Sequence, residues 1–298
     1  MLVDKKWRFE DSASYFACPK CQNPLIKESN SLKCSDNHCF DLSKFGYVNL
    51  LGGKKIDEHY DKKSFENRQL VLENGYYNHI LEAISKVLEN NSQFHSVLDI
   101  GCGEGFYSRQ LVNKYEKTFL AFDISKDSIQ LAAKSDQSRL VKWFVSDLAN
   151  LPIQDSSIDI ILDIFSPANY KEFRRVLSDD GILVKVVPVA EHVQELREKA
   201  SQYLKQEDYS NQKILDHFRE NFEIISEQKV VQSYNCSQQE RQAFIDMTPL
   251  LFSVDKTTID WASISEITVG ALIVIGKSAV YLNKITAFML GIHKIEVI

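Results

Sequence analysis

No run of apolar residues in this 298-residue chain comes near the roughly 20 positions that a membrane-spanning helix needs. The N-terminal stretch MLVDKKWRFEDSASY is charged and lacks the continuous apolar segment of a secretory signal, so we expect a cytoplasmic protein. An excess of basic residues is also missing. The formal net charge of −6 argues against a chain that coats nucleic acid by bulk electrostatics, although it permits a local basic surface for RNA.

Cysteine is scarce outside one short stretch. Cys102 and Cys236 stand alone, and the other four of the six cysteines lie between positions 18 and 39. In a reducing compartment, such a cluster favours metal binding over disulfide formation. The stretch is also rich in turn residues and has little apolar content, so bound metal would supply much of its folding free energy, on the order of 10 kcal/mol or more.

The cluster has the spacing of a structural zinc site. A C-x2-C pair, a twelve-residue gap and a C-x3-H pair can place four ligands tetrahedrally around one ion. The predicted ligands are Cys18, Cys21, Cys34 and His38. Cys39 adjoins His38 and competes with it for the fourth position, so this choice stays open.

The length and the pattern predict two unequal units. We expect an N-terminal extension at residues 1–15, a zinc-binding module at 16–53, a main domain at 54–278 and a C-terminal tail at 279–298. From Ser96 onward, short apolar strands alternate with amphipathic stretches, which predicts an α/β fold with a doubly wound, mostly parallel sheet. A later strand pair, near residues 222–231 and 268–275, is expected to close the sheet.

The most informative local motif is VLDIGCGEG at residues 97–105. An apolar strand ends there in a G-x-G-x-G loop, a spacing that differs from the G-x-G-x-x-G of dinucleotide-binding proteins. A carboxylate beside the loop suits the positively charged methionine moiety of S-adenosylmethionine better than a pyrophosphate. The motif resembles the first motif of class I methyltransferases, with the candidate cofactor-binding residues Asp99, Gly101, Gly103 and Gly105.

Two later acids support a nucleoside site. Asp123 ends the second strand, FLAFD, where an acid can accept hydrogen bonds from ribose hydroxyls. Asp147 follows the third strand, at the place where class I methyltransferases carry an acid that pairs with the adenine amino group. Acids at successive strand ends would line one crevice at the carboxyl edge of the sheet.

Five motifs together resemble the 23S rRNA (guanine-N1)-methyltransferase family, which includes tylosin-resistance enzymes. They are CPKC at 18–21, CSDNHCFDLSKFGYVNLL at 34–51, VLDIGCGEGFY at 97–107, FSPANY at 165–170 and MTP at 247–249. The two N-terminal motifs are the specific ones, because many families share the glycine loop. The resemblance spans roughly residues 16–277 of the chain and implies a zinc ribbon ahead of a Rossmann-like methyltransferase domain.

The resemblance also implies particular site residues and partners. The family's zinc ligands fall on the four residues predicted from spacing, and its cofactor contacts fall on Tyr77, Gly103, Glu104, Asp123 and His192. Its substrate is N1 of a guanine in a hairpin loop of 23S ribosomal RNA, and its assembly is a homodimer. Tyr77, Glu104 and His192 enter on this ground alone.

Guanine N1 carries a proton that must leave as the methyl group arrives. Asp163 and the FSPANY segment follow the fourth strand and are the candidates to accept it, with Asp163 the predicted catalytic residue. The same aspartate would alternatively serve as a structural partner to a nearby lysine.

Two other functions compete with RNA methylation. A small-molecule methyltransferase would carry the same glycine loop, and a non-catalytic RNA-binding assembly protein would keep the fold without using it. The zinc module favours RNA, because Lys20, Lys27, Lys33 and Lys44 would offer a contact surface. Treating the zinc and cofactor sites as separate modules, we expect Cys34→Ser to leave cofactor affinity nearly intact.

Overall fold

The computed structural model describes residues 5–52, 62–204 and 210–278. Its centre is an eight-stranded sheet with the strand order β10-β11-β9-β8-β5-β6-β7-β4. These strands are β4 (Tyr47–Asn49), β5 (Ser96–Ile100), β6 (Thr118–Asp123), β7 (Lys142–Val145), β8 (Ile158–Ile164), β9 (Leu177–Pro188), β10 (Phe222–Asn235) and β11 (Glu266–Ser278). Six neighbouring strands, from β4 to β9, are parallel, while β9, β11 and β10 pair antiparallel.

This topology confirms the predicted α/β class with a mostly parallel sheet. The two closing strands lie where the pattern placed them, as β10 and β11, although both are longer than predicted. The central strand β5 is buried at every position, which explains its unbroken apolar run. Its Val97 packs into the core on one face of the sheet, and Leu98 packs into the core on the other.

Helices pack on one face of the large sheet. Among the described residues, the α-helices are α1 (Lys62–Glu73), α2 (Asn78–Asn90), α3 (Phe106–Leu111), α4 (Lys126–Ser135), α5 (Tyr170–Val176), α6 (Gln194–Lys199), α7 (Gln212–Arg219) and α8 (Gln238–Met247). The sequence of helix α2 explains its packing against the sheet. Its apolar residues recur at helical spacing and are all buried: Ile80, Leu81, Ile84 and Leu88. Helices α2, α3, α4, α6 and α8 contribute to this core, whereas α5 and α7 pack on the second face.

The N-terminal residues cover the rest of the second face. A small antiparallel sheet of β1 (Ile26–Glu28), β2 (Ser31–Lys33) and β3 (Cys39–Asp41) forms the ribbon. Apolar side chains of this region share one core with the large sheet, and the Phe16 ring meets Phe144 of β7 edge-on at 5.2 Å. The ribbon therefore occupies a place over the sheet that a helix would otherwise fill.

Strand β4 joins the ribbon segment directly to the large sheet. It pairs parallel with β7, and Tyr47 lies opposite Trp143. The zinc-binding module and the main domain are therefore packed together, because a strand and a hydrophobic core connect them, and the independence of the two sites stays a prediction. The period-two pattern near residue 48 could not reveal this pairing, since its partner lies far along the sequence.

The predicted polar extension is packed against the main domain. Arg8 is fully buried, its Nη1 lies 3.1 Å from Asp136 Oδ2, and the same nitrogen donates to the carbonyl of Val141 at 2.7 Å. The proposed boundary at 53/54 and the tail at 279–298 lie outside the described residues. Within the described ranges, the structure contains no helix with the length and apolar content that spanning a membrane requires.

Candidate functional site

A cleft of ≈1920 Å³ opens at the carboxyl edge of the parallel strands. The loops that follow β5, β6, β7 and β8 line it, together with the end of β9 and parts of α1 and α8. Six of the predicted cofactor residues line the cleft: Tyr77, Gly101, Gly103, Asp123, Asp147 and His192. This position, at the sheet edge where strand order reverses, is where open α/β sheets bind ligands.

The three loop glycines have different physical reasons to be glycine. All three have positive φ, of +60° at Gly101, +56° at Gly103 and +77° at Gly105. A Cβ atom on Gly105 would lie 2.3 Å from Trp143, so this glycine serves packing between the loop and β7. A Cβ on Gly103 would meet nothing closer than 3.9 Å and would enter the cleft instead.

Asp123 holds the glycine loop and its own helix start in place. Its Oδ2 accepts from the Gly103 N–H at 2.9 Å, and its Oδ1 accepts from the Ser125 N–H at 2.8 Å. The carboxyl group lies at the cleft and is nearly buried, and burial raises its pKa. Sequence reasoning placed it correctly at a strand end, where its remaining lone pairs can accept from ribose hydroxyls.

Two further predicted acids lie behind the loop. Asp99 is buried and accepts from the Ser108 hydroxyl at 2.7 Å, while burial raises its pKa to about 7. Glu104 is also buried, and burial raises its pKa. Its Oε2 has no hydrogen-bond partner among the described residues, although Arg68 Nε lies 3.5 Å away.

These acids give a test of whether S-adenosylmethionine fits. Three carboxyl groups crowd one loop, and among the described cations near them Arg68 is the one that lines the cleft. The amino group and sulfonium of the cofactor would supply both the missing donor and the missing positive charge. The residues present therefore fit the methionine end of this cofactor.

Asp147 lies at the adenine end of the predicted site. It follows β7 and lines the cleft, and its Oδ1 accepts from the Ala149 N–H at 2.9 Å. The structure therefore brings Asp123 and Asp147 to the same edge, as the strand order requires.

A group of three aromatic rings also lines the cleft. The His192 ring stacks on Phe165 with centroids 5.4 Å apart, and Tyr77 contacts both rings at about 6 Å. Phe165 has a φ of +52° and Val193, next to His192, has a φ of +47°, so two backbone sites are strained here. Burial lowers the pKa of His192 to about 4, and a neutral imidazole tolerates a nearby sulfonium.

Sequence reasoning missed Arg68 and Phe65 as lining residues, and it named Phe165 only within the FSPANY segment that was a candidate to accept the N1 proton. Phe165 begins the FSPANY motif, so a signal existed for it. Arg68 and Phe65 lie on α1, where nothing in the local pattern points to a cleft.

Asp163 does not line the cleft. Its side chain is fully buried, and Oδ2 forms an ion pair with Lys185 Nζ at 2.8 Å. Burial raises its pKa to about 7. Lys185, on β9, lines the cleft in its place, so the lysine partner weighed as the alternative is present.

The four predicted zinc ligands meet in the ribbon. The ligand atoms of Cys18, Cys21, Cys34 and His38 all lie within 4.8 Å of one another. Two Zn–S bonds of about 2.3 Å in a tetrahedral site separate the sulfurs by roughly 3.8 Å, so the donor set fits a zinc ion. His38 Nδ1 lies 3.4 Å from Cys34 Sγ, whereas Cys39 is exposed and outside the cluster.

Comparison with known proteins finds a separate family match for each of the two parts of the chain. Residues 16–55 match the zinc-ribbon family described as RlmA, N-terminal, and residues 97–181 match the family described as methyltransferase domain. A solved structure from Methanococcus maripaludis, described as a proposed S-adenosyl-L-methionine-dependent methyltransferase, is 20% identical with a TM-score of 0.46, covering 58% of this chain and 91% of its own. The protein is thus a class I S-adenosylmethionine-dependent methyltransferase with an N-terminal zinc ribbon.

Two relatives narrow the class to a family. YxjB of Bacillus subtilis strain 168, named as a proposed 23S rRNA (guanine-N1)-methyltransferase, is 34% identical over 88% of this chain and 97% of its own length. The 23S rRNA (guanine(748)-N(1))-methyltransferase of Streptomyces fradiae is 27% identical over 72% of this chain and 78% of its own. The chain belongs to the 23S rRNA (guanine-N1)-methyltransferase family.

Proposed function

We propose that the protein methylates N1 of a guanine in a hairpin loop of 23S ribosomal RNA, with S-adenosylmethionine as the methyl donor. The observation that carries the proposal is the match to YxjB over 97% of that relative's length, which includes both the ribbon and the methyltransferase domain. A loop guanine suits the reaction because its pairing edge is accessible, whereas a helical guanine hides it.

The size of the cleft supports a nucleobase substrate beside the cofactor. Ligand pockets usually measure about 300 to 1,000 Å³, and the cleft of ≈1920 Å³ exceeds that range. Its rim carries the exposed apolar side chains of Tyr203, Ile214 and Leu250. A base turned out of its stack could enter between this rim and the aromatic group, as base-modifying enzymes require.

The roles of the site residues form part of this proposal. The methionine end of the cofactor would lie against Gly101, Gly103 and the acids Asp99 and Glu104, with Gly105 fixing the loop on Trp143. Asp123 would bind the ribose, and Asp147 the adenine. Tyr77 and His192 would enclose the methyl group from the side of Phe165. When bound, the cofactor supplies an electrophilic methyl group, and these residues exclude water and align the base with it.

The ribbon offers a smaller basic surface than its sequence suggests. Lys27 pairs with Glu10 at 2.8 Å and Lys33 pairs with Glu28 at 2.9 Å. Lys20 and Lys44 are exposed, so these two lysines are the proposed phosphate contacts. Zinc at the cluster of Cys18, Cys21, Cys34 and His38 would hold the ribbon in shape, a structural role.

A homodimer in the cytoplasm completes the proposal. The dimer follows from the family resemblance, and a cytoplasmic location follows from a ribosomal RNA substrate. Light scattering on the purified protein measures the mass directly and separates a dimer from a monomer.

The decisive experiment compares ribosomal RNA from the parent strain with that from a deletion strain by mass spectrometry. We expect one N1-methylguanine of 23S rRNA to disappear and to return when the gene is restored. Methylation of unmodified RNA by the pure protein, followed by primer extension, locates the site, because N1 methylation blocks pairing. Retention of every N1-methylguanine, with loss of a methylated metabolite, would favour a small-molecule substrate.

A further inference from the structure

We propose that Lys185 is the residue that recognises the guanine, by donating a hydrogen bond to O6 and stabilising the negative charge that forms there when N1 loses its proton. This inference rests on the proposed function. In it, Asp163 is a positioning residue that holds the ammonium group and does not touch the base.

Lys185 is a nearly buried residue at the wall of the cleft. Its side chain is only 6% exposed, and the residue lines the cleft beside Phe165 and Ser166. Nζ donates to Asp163 Oδ2 at 2.8 Å and to the carbonyl oxygen of Ser166 at 2.5 Å. An ammonium group has three hydrogens, and the described residues supply these two acceptors, so one hydrogen remains for a ligand.

The surroundings of the lysine explain why a cation can stay in so buried a place. Asp163 is fully buried next to it and compensates its charge. Phe165, the residue before the Ser166 carbonyl that accepts from Lys185, has a strained backbone with a φ of +52° and is stacked on His192. The ammonium group is therefore fixed before a substrate arrives, which is what stabilisation of a developing charge requires.

The chemistry of the lysine selects guanine over adenine. Guanine presents the acceptor O6 next to N1, whereas adenine presents an amino group at the same position. An ammonium donor matches the carbonyl oxygen and opposes the amino group. The pair of Lys185 and Asp163 thus gives this cleft a reason to take guanine that the glycine loop and the strand-end acids do not provide.

The proposed reaction transfers the methyl group from the cofactor sulfur to guanine N1. The N1–H bond breaks and its proton passes to solvent water as the base enters the cleft, before water is excluded, while the negative charge left on the ring is shared between N1 and O6. The N1 lone pair then forms the bond to the methyl carbon, and the bond from that carbon to sulfur breaks with its electron pair remaining on sulfur. Lys185 acts only through its hydrogen bond to O6.

The test uses the full-length protein, an unmodified 23S rRNA hairpin and labelled cofactor, with single-turnover rates measured from about pH 7.5 to about pH 9.5. The neighbouring titratable groups besides Asp163 are His192, whose pKa burial lowers to about 4, and Tyr170, whose pKa burial raises. In Lys185→Met, we expect a rate about a hundredfold to a thousandfold lower at the lowest pH of this range. The deficit should shrink toward alkaline pH, where N1 ionises without help, and cofactor affinity should stay unchanged.

Two further variants keep the test decisive. Lys185→Met alone leaves Asp163 buried without its counter-charge, so the double variant with Asp163→Asn is the form expected to fold. The exposed Lys86→Met on α2 is the matched control and should behave like the wild type. A wild-type rate and pH profile in a folded double variant would overturn the role of Lys185, as would a deficit that is constant with pH and accompanied by weaker cofactor binding. Wild-type protein that methylates no guanine at all would instead overturn the proposed function.

Discussion

Gly103 and Gly105 show how two residues of one motif can be required for different reasons. Both have a left-handed backbone, which costs an L-residue roughly 1–2 kcal/mol. At Gly105 a side chain would in addition collide with Trp143, whereas at Gly103 it would occupy the cleft. The motif therefore combines a packing requirement with a binding requirement.

This difference predicts that alanine at Gly105 mainly lowers stability, whereas alanine at Gly103 mainly weakens cofactor binding. Gly105→Ala should lower the free energy of unfolding by more than the conformational cost alone, because the Cβ would lie 2.3 Å from the Trp143 ring. Gly103→Ala should lose about 1–2 kcal/mol of stability and most of its cofactor affinity. Urea unfolding and calorimetric titration measure the two effects. Similar stability losses in both variants would contradict the assignment.

Asp123 is the residue through which the loop and the cofactor should be coupled. Its two carboxylate oxygens accept from the Gly103 and Ser125 N–H groups, so the acid shapes the loop, and in the proposed complex it would also bind the ribose. We expect Asp123→Ala to weaken S-adenosylmethionine binding by about 1.5–3 kcal/mol, the usual worth of a hydrogen bond to a charged group. Titration calorimetry measures this, with the exposed Asp127→Ala on α4 as control. Equal affinities in the two variants would remove Asp123 from the site.

The residues that were predictable are those whose signal is local. Gly101, Gly103 and Asp123 follow an apolar strand, and parallel strands end at one edge, so their meeting in a cleft follows from sequence order. Phe165 and His192 meet only because β8 and the segment before α6 pack side by side. A lone histidine carries no such information.

At the scale of the secondary-structure element, β4 connects the predicted zinc site with the cofactor cleft. It extends the parallel sheet at the strand that Asp147 follows, and residues around it share a core with Cys18 and Cys34, two of the predicted zinc ligands. Only three residues long, β4 gives too short a pattern to reveal its partner. Helix spans near the loop were easier, since α3 and α4 lie where amphipathic stretches were expected.

Because β4 joins the ribbon to the sheet, we expect substitution of the predicted zinc ligand Cys34 to weaken cofactor binding, whereas separate modules would leave it intact. We predict that Cys34→Ser lowers the melting temperature and weakens cofactor binding together, because loss of a metal-binding free energy on the order of 10 kcal/mol loosens the cover of the sheet. Thermal unfolding and calorimetry provide the two readouts. Cys39→Ser, an exposed cysteine outside the cluster, is the matched control and should change neither. Intact cofactor affinity in a zinc-free Cys34→Ser protein would restore the picture of independent modules.

At the scale of the whole molecule, the first residues of the chain act as part of the main domain. Arg8 forms a buried ion pair with Asp136, and Asp136 also accepts from the indole N–H of Trp143 at 3.0 Å. Trp143 in turn packs on Gly105. The N-terminal segment is thereby linked to the glycine loop through three side chains, although its sequence resembles a polar extension.

Removing one partner of this pair should be costly. We expect Arg8→Ala to lower the free energy of unfolding by about 3–5 kcal/mol, because Asp136 would be left charged and buried. Glu10→Ala breaks an ion pair with Lys27 in which the carboxylate is 65% exposed, and it should cost less than about 1 kcal/mol. Urea unfolding of both variants checks the contrast. A small effect of Arg8→Ala would mean that the N-terminal segment is dispensable for the fold.

The parallel pairing of β4 with β7 also constrains the order in which the chain can fold during synthesis. Tyr47 leaves the ribosome roughly a hundred residues before Trp143, its partner in the sheet. A ribbon that binds zinc early must therefore wait with one strand edge and one apolar face uncovered until β7 has been made. We expect zinc bound at that stage to keep the waiting edge on a folded ribbon, whereas a zinc-free ribbon would leave the same apolar residues in an unfolded chain that is prone to aggregation.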